Sequence, residues 1–316
     1  MNNQEKIKQL LEAIQQENQE PQDIGKVEIV NVMLWMKNNA YEPTTIKRVG
    51  KELRHLQRNC NISQPEAVKT YVASKQCSNA RKENLIESYA IVIKSLKLTW
   101  NQPFYERYDK KRRAPKEQLI DFMINHFRLE MALKLSMSKD LGTRPIELLW
   151  LKVNDIDLAT GTVSITGAKH TIGREQKLKT KSLELLKIYI QKHQLTNNDR
   201  LYNTTTSDIL STDYRHARNK LAEDYNMPEL KQICLYDFRR FKGTRVYHLT
   251  NGKLLEVKNA LGHKDLRSVE KYITMDANIT WIPVKCTTDE EIQQAIKDDC
   301  ILVGHENGTW YFKKPA

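Results

Sequence analysis

The sequence predicts a mainly α-helical protein with a small β-sheet, an α+β chain built as more than one domain. Three observations carry this reading. Apolar residues recur at helical i, i+3, i+4 spacing along most of the chain, whereas "GTVSIT" at 161–166 alternates as a strand does. The 316 residues are enough for two separate cores. A composition 40% hydrophobic and 28% charged is that of a folded globular protein.

Each element follows in order. Residues 1–25 hold Ile7, Leu10, Leu11 and Ile14 on one stripe, which predicts an N-terminal packing helix, broken by "QENQEPQDIGK". Residues 26–100 predict four helices. In "PTTIKRVGKELRHLQRNC", Ile46, Val49, Leu53 and Leu56 share a face, and Lys47, Arg48, Lys51, Arg54 and Arg58 lie largely elsewhere. Pro43 followed by Thr44 marks the entry to that helix. "SQPEAVKTYVASK" predicts an N-cap at Ser63, with Pro65 in the first turn and Glu66 closing a capping box. Residues 101–115 are polar, with Pro103 and Pro115 and the run Lys110, Lys111, Arg112 and Arg113, and read as a basic linker.

After Lys116 the pattern changes. "QLIDFMINHFRLEMALKLSMSKDLG" reads as helix, and a further helix starts near Pro145. The strand at 161–166 is followed by a turn and a partner strand returning through Gln176 to Leu178. Helices are predicted at "KSLELLKIYIQKH", "TDYRHARNKLAEDYN", "YDFRRFKGTRVYHLTNG" and "LLEVKNALGH". Residues 275–316 read strand, helix, strand, turn, strand, a small appended unit in which Trp281, Trp310 and Tyr311 are expected as core.

Charge narrows the function classes. Fifty-one Lys and Arg against 39 Asp and Glu give a net charge of +12, a balance that favours polyanions such as nucleic acid. The cationic helix face and the basic linker are the candidate DNA contacts, with solvated helix faces as the bland alternative. No apolar run is long enough to span a membrane, and the start "MNNQEKIKQLLEAIQQ" lacks the pattern of a secretory leader. Five scattered cysteines with no C-x-x-C pair argue against a disulfide framework or a zinc site, and fit a reducing cytoplasm. Phosphate-loop, H-E-x-x-H and dinucleotide signatures are missing, so no cofactor is expected and no metal site is assigned. Asp155 and Asp157 in "NDID" read as cap or turn residues.

Arginine and lysine recur through the second half, which ends in one His and one Tyr. These types suit phosphoryl transfer. Paired arginines fork onto the non-bridging oxygens of a phosphodiester as negative charge builds there. A desolvated lysine can protonate a leaving oxygen, and a tyrosine can form a covalent phosphotyrosine link. Such a link stores the phosphodiester energy, so strand exchange would need no ATP and no metal.

The positions come from resemblance. "LGTRPIELLWLKVNDID" resembles the first box of the tyrosine recombinase (phage integrase) family, T-G-x-R-x-x-E-L. "GTVSITGAK" is similar to the strand and turn that carry the family's mobile lysine, "LYDFRRF" to the second box H-x-L-R-H, and "LGHKDLRSVEKYI" to the closing L-G-H with a tyrosine nine residues on. The match runs in order from about 116 to 273. It implies that Arg144 and Arg239 are the catalytic arginines, with Glu147 as the acidic residue of the first box. It further implies Lys169 as the proton donor, His263 as a transition-state partner and Tyr272 as the nucleophile. Lys177 and Lys179 on the returning strand are alternatives to Lys169. Three departures stand out: Leu141 replaces Thr, Tyr236 replaces the usual His or Lys, and Arg240 replaces the closing His. The Y-x-x-R form and the short tail resemble archaeal plasmid and viral integrases. Tyr236 is read as a phosphate hydrogen-bond donor or as a packing aromatic, and Arg240 as a supporting residue.

The resemblance implies a helical core-binding domain at 26–100 and a catalytic recombinase domain at 116–274, together gripping duplex DNA. It implies a site-specific recombinase working through a 3′-phosphotyrosine, as a homotetramer on two attachment sites. Two alternatives stay open: a type IB topoisomerase-like nicking-closing enzyme, and a catalytically silent DNA-binding protein on the same scaffold.

Overall fold

A computed structural model describes residues 23–107, 112–168, 171–274 and 281–315. The expected N-terminal helix, Lys110, Lys111 and Lys169 lie outside the described residues. The chain divides into two compact units, 1–110 and 111–316.

The first unit is built from α1 (Ile29–Asn38), α2 (Pro43–Asn59), α3 (Pro65–Ser74) and α4 (Asn79–Ser95). Pro43 and Pro65 each stand at the first helical turn, where the missing N–H costs nothing. Val49, Leu53 and Leu56 of α2 are fully buried against Val68, Leu85 and Ile86, each such burial stabilising by about 1.5–3 kcal/mol. Tyr89 adds a buried ring whose hydroxyl donates to the Ile62 carbonyl at 2.9 Å. Lys47, Arg48, Lys51, Arg54 and Arg58 are exposed on the opposite side of α2.

One cap differs from expectation. Helix α3 takes Gln64, not Ser63, as its N-cap, and no side chain bonds there. Ser63 is used instead in the preceding turn, its N–H donating to Asn61 Oδ1 at 3.0 Å and its carbonyl accepting from Ile24 N at 2.9 Å. Part of the basic linker belongs to this unit too. Tyr105 packs on its core and donates its N–H to Glu83 Oε2 at 3.0 Å, and Arg107 pairs with Glu87 at 3.2 Å.

In the second unit, the long helical stretch after Lys116 is two helices, α5 (Glu117–His126) and α6 (Leu129–Leu141). Phe127 and Arg128 are extended, a break that no Gly or Pro announces. Helix α6 is buried on all sides, so Lys134, Ser136, Ser138 and Asp140 sit among Leu133, Leu135 and Met137. Asp140 Oδ2 accepts from Ser182 Oγ at 2.5 Å and from Lys179 N at 2.9 Å, which ties α6 to the start of α8 (Thr180–His193). Asp155 and Asp157 are indeed cap and turn residues, accepting from the backbone N–H groups of Lys152 and Ala159, each at 2.8 Å.

Helix α7 (Pro145–Trp150) leads to an antiparallel sheet of β1 (Ile156–Asp157), β2 (Thr162–Ile165) and β3 (Arg174–Lys177), in that order. The register pairs Val163 with Gln176 and Ile165 with Arg174. The returning strand therefore starts two residues before the expected Gln176. Three helices then complete the core and its rim: α9 (Ser207–Asp224), α10 (Leu235–Leu249) and α11 (Leu254–Leu261), followed by the short α12 (Arg267–Glu270).

The tail is β4 (Trp281–Cys286), α13 (Asp289–Lys297), β5 (Ile301–Glu306) and β6 (Thr309–Pro315), with sheet order β4-β6-β5. Its small core is Cys286, Ala295 and Phe312, with Trp310 packed at the edge. Tyr311 does not join this core; it is exposed. Trp281 is half-buried beneath Lys313, whose Nζ lies 4.5 Å from the ring centre. Among the described residues, no helix is long and apolar enough to cross a membrane. The five cysteines are unpaired.

Candidate active site

Glu147 organises the site. It stands in the first turn of α7 and its side chain is fully buried. Its Oε2 accepts from the backbone N–H of Arg144 at 3.0 Å, and its Oε1 accepts from Arg144 Nη1 at 2.9 Å. The same carboxylate takes Arg174 Nη2 at 3.1 Å and lies 3.7 Å from Arg239 Nη1. Burial alone would raise the Glu147 pKa; Arg174, the Arg144 N–H and Arg239 together outweigh it and hold the carboxyl below its usual range. Three guanidiniums thus surround one carboxylate, an excess of positive charge poised for an anion.

Glu147 also holds the residues on either side of positions 169 and 170. Its Oε1 accepts from Ala168 N at 3.3 Å and from Thr171 Oγ1 at 3.1 Å, and Thr171 Oγ1 also meets Arg144 Nη1 at 2.9 Å. Thr171 closes back onto the Ala168 carbonyl. Of the alternative lysines, Lys177 is exposed on β3, and Lys179 turns to the tail, pairing with Asp299 at 3.3 Å.

Arg239, on α10, is the largest fully buried side chain. Its Nη1 donates to the Gly142 carbonyl at 2.7 Å and its Nη2 to the Leu261 carbonyl at 2.6 Å. Nη2 also lies 3.1 Å from His263 Nε2, and the Nε hydrogen has no partner among the described residues. Desolvation, then repulsion from Arg144, lowers the Arg239 pKa, and Glu147 opposes this. His263 follows Gly262, which ends α11 with φ +67°, a conformation that side chains resist. Burial first, then Arg239 and Arg144, pushes the His263 pKa down to about 4, so the imidazole is neutral at physiological pH.

Tyr272 completes the cluster from its own chain. Its ring centre is 5.1 Å from that of His263, and Arg239 Cζ lies 5.3 Å from it. Thr244 Oγ1, on α10, donates to the Tyr272 carbonyl at 3.3 Å and accepts from Thr274 N at 3.0 Å, so the segment is pinned on both sides of Ile273. Tyr236, at the start of α10, keeps 42% of its surface exposed. Desolvation and the neighbouring Tyr272 nevertheless raise its pKa, against Arg144 and Arg239.

Three predicted residues of this unit lie elsewhere. Arg240 pairs with Asp237, the residue whose Oδ2 accepts from Cys234 N at 2.8 Å to cap α10. Arg112 donates to the Gln232 carbonyl at 3.0 Å and to Cys234 Sγ at 3.2 Å, so it braces the entry to α10 while staying half exposed. Arg113 is exposed. Thr171, Arg174 and Thr244 carry no motif and escape a reading by boxes.

The sequence pattern described as the phage integrase family matches residues 114–278, just over half of the chain. The chain belongs to the phage integrase family. Its match to this family takes in the whole cluster from Arg144 to Tyr272. A protein of Methanocaldococcus jannaschii described as a probable integrase/recombinase is 30% identical over 152 residues, which cover 46% of each chain. The chain therefore spans about half the length of the curated relative it matches. Two solved structures have the same fold. The Tn1549 transposon integrase in complex with transposon right end DNA gives a TM-score of 0.61 at 10% identity, over 85% of this chain and 98% of that one. A lambda integrase dimer bound to a COC′ core site gives 0.58 at 12% identity, over 80% and 78%. As in these integrases, the chain is mainly helical with small antiparallel sheets.

Proposed function

We propose that this integrase-family protein is a site-specific recombinase that cuts and rejoins duplex DNA through a tyrosine–phosphate bond. The observation that carries the reading is Tyr272 lying against Arg239 and His263 of its own chain. The Tyr272 hydroxyl attacks the scissile phosphorus, the bond to the 5′ oxygen breaks, and the phosphate stays on the 3′ end as a phosphotyrosyl ester. Lys169 gives the leaving 5′ oxygen its proton. Attack by a 5′-hydroxyl on the phosphotyrosyl ester reverses these steps on the same or an exchanged strand, and no ATP is consumed.

The other residues act by electrostatics. Arg144 and Arg239 meet the charge that builds on the non-bridging oxygens, with Tyr236 as a neutral hydrogen-bond donor beside them. Neutral His263, whose Nε2 lone pair is taken up by Arg239, stabilises the transition state by holding that guanidinium and through its remaining ring N–H. Glu147 keeps the arginines fixed and parted, so little reorganisation is needed when charge develops. Lys47, Arg48, Lys51 and Arg54 on α2, with Lys110, Lys111, Arg112 and Arg113, supply phosphate contacts. Four protomers on two DNA sites would make the exchange complete, each cutting with its own Tyr272.

A nicked suicide duplex carrying a candidate attachment site tests the reading. Wild type should leave a denaturant-resistant protein–DNA adduct, and Tyr272→Phe should leave none while still binding DNA. An adduct that survives Tyr272→Phe removes the nucleophile assignment. DNA binding without any adduct, on every candidate site, favours a silent DNA-binding protein. Relaxation of supercoiled DNA without recombinant products favours a nicking-closing enzyme.

A further inference from the structure

Arg174 opens a four-residue strand near the protein surface, yet its side chain is buried. Register drives it inward. Arg174 pairs across the sheet with Ile165, whose side chain is in the core, and cross-strand partners share a face. Burying a guanidinium is costly, and one carboxylate already bonded to Arg144 does not require a second close cation. Burial lowers the Arg174 pKa in spite of Glu147, so the ion pair alone does not explain its position.

Arg174 joins the β2–β3 hairpin to two parts of the site. Its Nη2 donates to Glu147 Oε2 at 3.1 Å, and its Nε donates to the Ala260 carbonyl at 3.0 Å. Ala260 is in the last turn of α11, where carbonyls lack helical partners and a cation is favoured. Beside it, Ile172 N donates to the Gly262 carbonyl at 3.0 Å. The approach is close enough that a Cβ on Gly262 would stand 2.7 Å from the Ile172 carbonyl oxygen and 3.0 Å from Arg174 Nη1. The hairpin therefore abuts the turn immediately before His263.

We propose that Arg174 is a positioning residue that locks the β2–β3 hairpin to the Leu261–Gly262–His263 turn, so that His263 and the residues flanking Lys169 keep one arrangement around Glu147. It acts through these neighbours and does not touch the reacting phosphate. Its catalytic consequence rests on the recombinase reading above; the clamp itself does not.

Arg174→Lys and Arg174→Met test both parts. Lysine keeps the charge but loses the planar fork that spans two acceptors. At saturating suicide DNA, single-turnover cleavage should fall about 10-fold for the lysine variant and about 100-fold for methionine. The Kd for the same DNA should stay within about twofold. Hydrogen exchange on the free protein supplies a readout independent of chemistry. In both variants the amides of Ile172 and of residues 260–263 should exchange faster, with those of Val163 and Ile165 unchanged. A folded variant with wild-type cleavage, or with unchanged exchange at these amides, overturns the proposal. Loss of cleavage matched by an equal loss of DNA affinity also overturns it, since Arg174 would then be a DNA contact. If wild type forms no adduct on any DNA, the recombinase reading fails, and exchange still decides the clamp.

Discussion

Arg239 Nη2 and His263 Nε2 lie 3.1 Å apart, and the hydrogen bond between them can run only one way. A guanidinium has no acceptor, so Nε2 must present its lone pair and the imidazole proton sits on Nδ1. The folded protein therefore keeps His263 neutral, with its pKa at about 4 against an ordinary 6.5. Between these values the unfolded chain binds a proton that the folded chain refuses, so stability rises with pH across that window. The contribution, about 3 kcal/mol, is fully present above pH 6.5 and is lost as pH falls through 4. Ring NMR should find His263 neutral until about pH 4, and His263→Gln should flatten the acid limb of unfolding free energy. Titration of the wild-type ring near 6.5 would contradict the assigned bond.

Glu147 makes a second prediction, because removing one partner from a buried charge cluster leaves the others uncompensated. Glu147→Ala would leave Arg144, Arg174 and Arg239 facing one another and would free Ala168 and Thr171. Urea unfolding should show a loss of about 3–5 kcal/mol. Glu147→Gln keeps an acceptor for the Arg144 N–H and should lose less. Equal stability of the alanine variant and wild type would show that the carboxylate does not hold the cluster together.

These two residues also mark how far the sequence could be read. Arg144, Arg239, His263 and Tyr272 lie in short boxes whose local structure is simple: Pro145 starts one helix, Gly262 ends another, and each box needs only its own few residues. The four converge in the fold. Arg174 was illegible because only strand register, a long-range property, turns it inward. Arg112 read as part of a charge run, since charge in sequence does not name its partner; the partners are Gln232 and Cys234, some 120 residues on. The break at Phe127–Arg128 is similar, as the periodicity runs on across it without a breaker residue. The tail's strand, helix, strand, strand order was legible, because its elements are short and their signals are local.

The exposed cations of α2 give a third prediction, on DNA affinity. Each phosphate neutralised releases counterions, so the logarithm of affinity falls with the logarithm of salt by about 0.9 per contact. Replacing Lys47, Arg48, Lys51 and Arg54 together by alanine should make that slope shallower by about 3 to 4. Stability should change little, because all four are exposed while Val49, Leu53 and Leu56 hold the helix in place. Fluorescence anisotropy over a salt series measures the slope, and an unchanged slope would remove α2 from the DNA interface.

Gly243 gives the last prediction, and it separates the position of Tyr272 from the stability of the fold. The glycine is inside α10, where alanine would ordinarily stabilise a helix by about 1 kcal/mol. Its Cα faces the tyrosine segment: a Cβ there would stand 3.0 Å from Leu261 Cδ1, 3.3 Å from the Tyr272 carbonyl oxygen and 3.5 Å from Tyr272 Cβ. The first two are tighter than an ordinary contact, so Tyr272 or Leu261 must give way by a few tenths of an ångström. The helix gain and the contact cost oppose each other, and unfolding free energy should stay within about 1 kcal/mol of wild type. The displaced tyrosine should react more slowly, with single-turnover cleavage of a suicide duplex down about 10-fold and DNA affinity unchanged. If Gly243→Ala cleaves at the wild-type rate, the backbone of Tyr272 need not lie against α10 when it reacts, and the arrangement around Thr244 is a resting one.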